Sequence, residues 1–110
     1  MSLPAGDLRE LVAVEQPVEV RNDLGESVQT WEVVARRRAA IEAVSYTEQQ
    51  LRQQLGGSVS HLVRLRFIEG LSGKMRLRWI TRGGRLLYIT SVVERNDREY
   101  QEVSCEEKVT

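Results

Sequence analysis

Residues 74–85, Lys-Met-Arg-Leu-Arg-Trp-Ile-Thr-Arg-Gly-Gly-Arg (KMRLRWITRGGR), alternate cation with apolar residue as far as Trp79 and then supply two adjacent glycines. Period-two alternation puts Lys74, Arg76 and Arg78 on one side of a strand and Met75, Leu77 and Trp79 on the other. Gly83 and Gly84 offer the positive φ angles of a two-residue hairpin. Closing the hairpin there sets Arg82 opposite Arg85 and Trp79 opposite Tyr88, an aromatic cross-strand pair. The same register turns Leu87 and Ile89 to the arginine side beside Ile80, where a small apolar patch needs cover from elsewhere in the chain or from another subunit.

Just upstream, His61-Leu-Val-Arg-Leu-Arg-Phe67 alternates in the same way, with Val63, Leu65 and Phe67 against Arg64 and Arg66, and the turn Glu69-Gly-Leu-Ser-Gly73 returns the chain. If the two strands pair, keeping both apolar sets on one side places Arg66 opposite Arg76 and Arg64 opposite Arg78. Like charges facing one another cost up to ~1 kcal/mol, so this register calls for compensation.

The remaining segments also read as strands. Leu8, Val12, Val14, Val18 and Val20 share one parity, with Pro17 marking an edge or a bend. Arg21-Asn-Asp-Leu-Gly-Glu26 has turn chemistry. Trp31, Val33, Ala35, Ala39, Ile41 and Ala43 share a second parity, which Arg37 would join unless a bulge lies near Arg36-Arg37-Arg38. A turn at 94–99 leads to a last strand at Tyr100–Lys108. Between the second and third strands the period changes. Ser45 precedes Glu48 by three residues, a capping-box spacing, and strong helix formers run on to Gly56-Gly57. This predicts a short helix over 45–57 whose thin apolar stripe of Tyr46, Leu51 and Leu55 suits a surface position. The fold class expected is mainly β: a small antiparallel β-barrel of about six strands, with one short α-helix inserted between strands 2 and 3.

The chain has 110 residues, room for one domain spanning 1–110. It has no apolar run of membrane-spanning length, and its opening MSLPAGDLRE lacks the basic head and apolar stretch of a signal peptide, so the reading expects a cytosolic protein with no membrane partner. The single cysteine, Cys105, rules out an internal disulfide and reads as a small, partly buried residue. With His61 the only histidine, a zinc-type site lacks ligands, and no cofactor is expected. His61 reads as a surface or rim residue with no triad around it, the carboxylates are scattered, and neither Gly-Gly pair sits in a phosphate-binding pattern, so an enzyme is not expected.

The net charge is zero, yet it is unevenly placed. Residues 1–32 hold two arginines against seven acids, a net −5, whereas residues 60–90 hold seven cations against Glu69, a net +6. Arginine outnumbers lysine fourteen to two, which suits bidentate pairing with carboxylate or phosphate. The cations Arg64, Arg66, Lys74, Arg76, Arg78, Arg82 and Arg85 are the candidate contact set. Three readings stand open: a solvated surface neutralised within the chain, subunit-to-subunit ion pairing, and contact with DNA phosphates.

Several stretches, taken in order, resemble the phage head-tail joining family, the head-completion or stopper proteins of long-tailed phages and prophages. They are AGDLRELVAV (5–14), DLGE (23–26) ahead of Trp31, AAIEAVSYTEQQ (39–50), HLVRLRF (61–67) and RGGRLLYITSVV (82–93). Ala43-Val44 departs from the proline often found at that point. The resemblance implies a barrel subunit that forms a ring below the portal or portal adaptor, closes the DNA-filled head, retains the genome and offers a docking surface to the tail terminator or tail tube protein. It places assembly in the host cytoplasm and the finished product at the neck of the virion, with double-stranded DNA passing through the channel. It also implies that the segment between strands 2 and 3 faces the channel, making Glu48, Gln49, Gln50, Arg52, Gln53 and Gln54 lumen candidates. Within a ring, the basic and acidic flanks of neighbouring copies are expected to pair. The alternatives are a tail-completion or terminator protein and a monomeric nucleic-acid-binding barrel.

Overall fold

The computed structural model describes residues 5–45, 47, 48, 50, 51, 59–95 and 99–108. Six strands, β1 (Glu10–Arg21), β2 (Ser27–Ala43), β3 (His61–Arg66), β4 (Arg76–Trp79), β5 (Arg85–Arg95) and β6 (Tyr100–Lys108), close into a barrel in the order β1-β2-β3-β6-β5-β4, with every pairing antiparallel. Closure removes the sheet edges that would otherwise invite stray pairing. The interior is filled by alternate residues of each strand: Val12 and Val14, Ala39, Val63 and Leu65, Leu77 and Trp79, Leu87 and Ile89, Val103 and Cys105.

The helix expected over 45–57 is not seen as an element. Residues 46, 49 and 52–58 lie outside the described residues, while Thr47, Glu48, Gln50 and Leu51 have helical backbone and the Glu48 N–H donates to Ser45 Oγ at 3.2 Å.

Two expected pairings are corrected. Strand β3 does not pair with β4; it lies between β2 and β6, while β4 lies between β1 and β5. Two strands separate them either way round the barrel, so Arg64 and Arg66 never face Arg76 and Arg78. The connecting loop is tied down by buried Gln101, whose Oε1 accepts from Ile68 N–H at 2.9 Å and whose Nε2 donates to Ile68 O at 3.1 Å. Such complete pairing is what a buried amide needs. The β4-β5 connection is not a two-residue hairpin either. Ile80–Arg82 form a 3-10 turn and Gly83 follows in the left-handed conformation, so Trp79 pairs with Arg85 and Arg76 with Tyr88. An odd, three-residue change of register inverts the faces. Leu87 and Ile89 therefore enter the core instead of forming an exposed patch.

The bulge expected near 36–38 lies further upstream. The β1-β2 register shifts between Val14 and Glu15, where Val34 is the extra residue opposite them. It separates Ala35, opposite core residue Val14, from Trp31 and Val33, which turn to the outer face. Arg37 shares the face of Val12 but lies beyond Ala39-Leu65, where β2-β3 pairing stops, and its side chain is exposed.

Strands β1 and β2 outrun their neighbours. β4 pairs with β1 only over Val12–Glu15, and β3 pairs with β2 only over Ala39–Ala43. Residues 16–32 therefore leave the barrel as a two-stranded arm, about 20 Å long at roughly 3.4 Å per residue. The long axis of the molecule measures 51 Å against 32 and 27 Å for the others.

Candidate assembly surface

Pro17, opposite Trp31, lies in this arm, where a residue without an N–H is tolerated because no second strand lies beyond it. At the root of the arm, Trp31 packs over the barrel wall. The Arg76 guanidinium lies 4.1 Å from the Trp31 ring centre and 5.7 Å from that of Tyr88, and the two rings meet edge-on at 5.8 Å. Arg76 Nη1 donates to the Tyr88 hydroxyl at 3.0 Å, and Lys108 Nζ sits 4.9 Å from the same ring. Cation-π stacking of a buried guanidinium is worth more than at an exposed site, so this cluster clamps the arm to β4 and β5.

Glu15 is the anion of the cluster. Its Oε1 accepts from Arg76 Nε at 2.6 Å and its Oε2 from Arg78 Nε at 3.0 Å. Burial works to raise the Glu15 pKa, but hydrogen bonds from Arg78 and Arg76 and their charges outweigh it and hold the carboxyl below the usual range. Arg82 lies 3.7 Å from Glu10, whose carboxylate also accepts from Thr81 and, at 3.1 Å, from the Trp79 indole; these two hydrogen bonds lower its pKa. Arg85 makes a fork with Glu107 at 2.5 and 2.6 Å and stacks 4.7 Å from the Trp79 ring centre. Arg64 reaches Glu102 at 3.2 Å and Glu42 at 3.4 Å.

Among the described residues at least five of the seven candidate cations are thus matched by acids of the same chain, and the seven do not form one face. Arg64 and Arg66 lie across the barrel from Arg76 and Arg78, while Arg82 and Arg85 sit at the β4-β5 connection. Lys74 and Arg66 are exposed. Among the lumen candidates Glu48 and Gln50 are exposed, and Gln49, Arg52, Gln53 and Gln54 lie outside the described residues.

His61 is not a rim residue. It is buried, with its ring edge-on to Trp79 at 5.6 Å and Nδ1 2.9 Å from Ser60 Oγ, and burial pushes its pKa down. Ser60 Oγ also accepts from Glu107 N–H at 2.7 Å and donates to Cys105 O, so the pair knits β3 to β6. Cys105 is fully buried rather than partly so, and burial pushes its thiol up to about 12. Among the described residues no group of three His, Cys, Asp or Glu side chains could hold a metal, and no helix is long and apolar enough to cross a membrane.

The sequence reading met Arg36–Arg38 only as the place of a bulge and counted the acids of residues 1–32 without seeing that a projecting arm carries them, so it missed where both charge sets stand. Arg36, Arg37 and Arg38 are exposed and have no carboxylate partner among the described residues. The arm carries the opposite charge, with Glu19, Asp23, Glu26 and Glu32 against Arg21. The available signal was the excess length of the first two strands over the others.

The residues thus form a small closed antiparallel barrel with a projecting arm and with ion pairs laid across its wall. The sequence matches the model of the phage head completion protein family over residues 3–108, and the chain belongs to that family. Among solved structures it is similar to protein SF1141 from Shigella flexneri 2a, with a TM-score of 0.77 and 22% identity, covering 97% of this chain and 98% of that one. It is also similar to a chain from the virion of a native gene transfer agent particle, with a TM-score of 0.61 and 22% identity, covering 93% and 98%. Curated proteins contain no match to it.

Proposed function

We propose that the chain is a structural, non-catalytic connector of the virion. Copies form a ring below the portal or its adaptor, close the filled head, retain the genome and present the docking surface for the tail. Membership of the head completion family carries the reading, and the likeness to a chain built into a virion particle supports it. The whole chain acts as one joining unit, assembled in the host cytoplasm and delivered to the neck. The segment between β2 and β3, with Glu48, Gln49, Gln50, Arg52, Gln53 and Gln54, lines or gates the channel through which double-stranded DNA passes.

The internal ion pairs argue against the monomeric nucleic-acid-binding barrel. Arg76 is buried on Glu15, and Arg85 is held by Glu107, so neither is available to grip a phosphate backbone. Deleting the gene tests the reading: DNA-packed or leaking heads beside separate, complete tails are expected. Normal particles, or tails of irregular length on filled heads, would sink it, the latter in favour of a tail-terminator role.

A further inference from the structure

The tip of the arm is a built turn. Asn22 Oδ1 accepts from the N–H groups of Leu24 and Glu26, both at 3.0 Å, Gly25 N–H donates to Asn22 O at 2.9 Å, and Gly25 takes φ 79°. This holds out Leu24, which is 82% exposed, between the acids Asp23 and Glu26. A singly exposed leucine is ordinary on a surface; what sets this one apart is that a hydrogen-bonded turn presents it at the end of the arm with a carboxylate on either side. At the other end of β1 lies a cleft of about 340 Å³, lined mostly by apolar surface of Leu8, Arg37, Arg38 and Arg66. Arginine stems form such walls while their charged heads stay at the rim. An apolar knob flanked by carboxylates at one end of the strand thus complements an apolar hollow rimmed by guanidiniums at the other.

We propose that the arm tip of one copy docks in the Leu8-Arg37-Arg38 cleft of the next. Leu24 fills the hollow, and Asp23 and Glu26 meet Arg37 and Arg38. The occupant is a second copy of this chain, because its own tip carries the charge and shape that the cleft lacks. One copy cannot satisfy itself, since tip and cleft are separated by the 12 residues of β1, about 40 Å of strand. The contact is heterologous, and such contacts close into a ring when the rotation permits. The proposal deepens the ring reading and rests on it, and it replaces the arginines first singled out with a different set.

Disulfide trapping tests it. Leu24→Cys and Leu8→Cys proteins, one carrying a size tag, are mixed at high concentration and oxidised; the native Cys105 is buried and does not compete. A disulfide needs Cα atoms within about 7 Å, so tip and cleft can join only between copies. The mixed product is expected to exceed both homodimers, to fall at least about tenfold when the Leu8→Cys copy also carries Arg37→Glu and Arg38→Glu, and to return when Asp23→Arg and Glu26→Arg are added to the tip, the signature of opposite charges brought together. Random crosslinking, or indifference to charge reversal, overturns the contact, as does a loss of DNA affinity in the Arg37→Glu, Arg38→Glu copy with its crosslinking unchanged. Leu24→Asp, an exposed change that leaves the fold intact, gives an independent readout. If Leu24→Asp copies enter a neck ring as readily as the wild type, this contact fails and the ring reading stands. Necks that lack the wild-type chain sink the ring reading itself.

Discussion

Glu15 on β1 and Arg76 on β4 face each other across the barrel wall with Oε1 2.6 Å from Nε, and both side chains are more than nine-tenths buried. Stripping one partner from a buried pair costs about 3–5 kcal/mol, because the other is left charged and dry. Glu15→Ala strands two arginines, Arg76 and Arg78, at the root of the arm. A loss in that range is expected from urea unfolding; a loss below about 1 kcal/mol, the ceiling for an exposed pair, would show that the cluster is effectively solvated.

The same geometry reverses an expectation drawn from the alternating arginines. Had Arg76 faced a neighbouring subunit, Arg76→Glu would have spared the fold. Buried against Glu15, the new carboxylate repels it, and Arg76→Glu is expected to destabilise by at least the about 3–5 kcal/mol of a broken buried pair. Arg37→Glu, on an exposed side chain, is expected to stay within about 0.5 kcal/mol of wild type. Parallel denaturant titrations check the contrast, and equal effects would refute it.

Stability should fall on the acid side in two stages. His61 is held below its ordinary value of 6.5, so the unfolded chain takes up this proton first; stability declines as the pH drops from about 6.5 towards the folded pKa. Glu10, Glu15 and Glu107 are held below 4.5, so their contribution is present above that value and is lost as the pH falls through their folded pKa values. Melting temperatures from pH 8 to pH 3 should show both declines, and His61→Phe should erase only the upper one. A profile unchanged by His61→Phe would contradict the assignment.

Gly83 takes φ 78° with nothing within 4 Å of where a Cβ would stand. Gly83→Ala therefore carries a backbone cost and no clash, about 1–2 kcal/mol for an L-residue in the left-handed region. An unchanged urea midpoint would mean that the 3-10 turn at 80–82 has a second conformation open to it.

The strands and the closed barrel were legible because Val63 and Leu65, Leu77 and Trp79, and Val12 and Val14 alternate cleanly with polar neighbours. Their neighbours were not legible. Period two tells which side a residue takes and nothing about which distant strand lies beside it, so β3 and β4, consecutive in sequence, were paired although they lie across the barrel. A single inserted residue, Val34, and a 3-10 turn where a hairpin was expected each changed parity, and with it the places of Trp31 and Leu87. The candidate surface was half legible: the charge segregation was visible, but at least five of the seven cations find carboxylates among the described residues of the chain. The exposed charges of Arg36–Arg38 and of the arm stand out only once those internal pairs are known.

The central claim is that copies of this barrel close a ring at the junction of head and tail. Electron cryo-microscopy of particle necks tests it most directly. The account predicts a closed ring of barrels between portal and tail, with each arm reaching the adjacent copy. A neck built without this chain, or one holding it as isolated copies with their arms free, would contradict it.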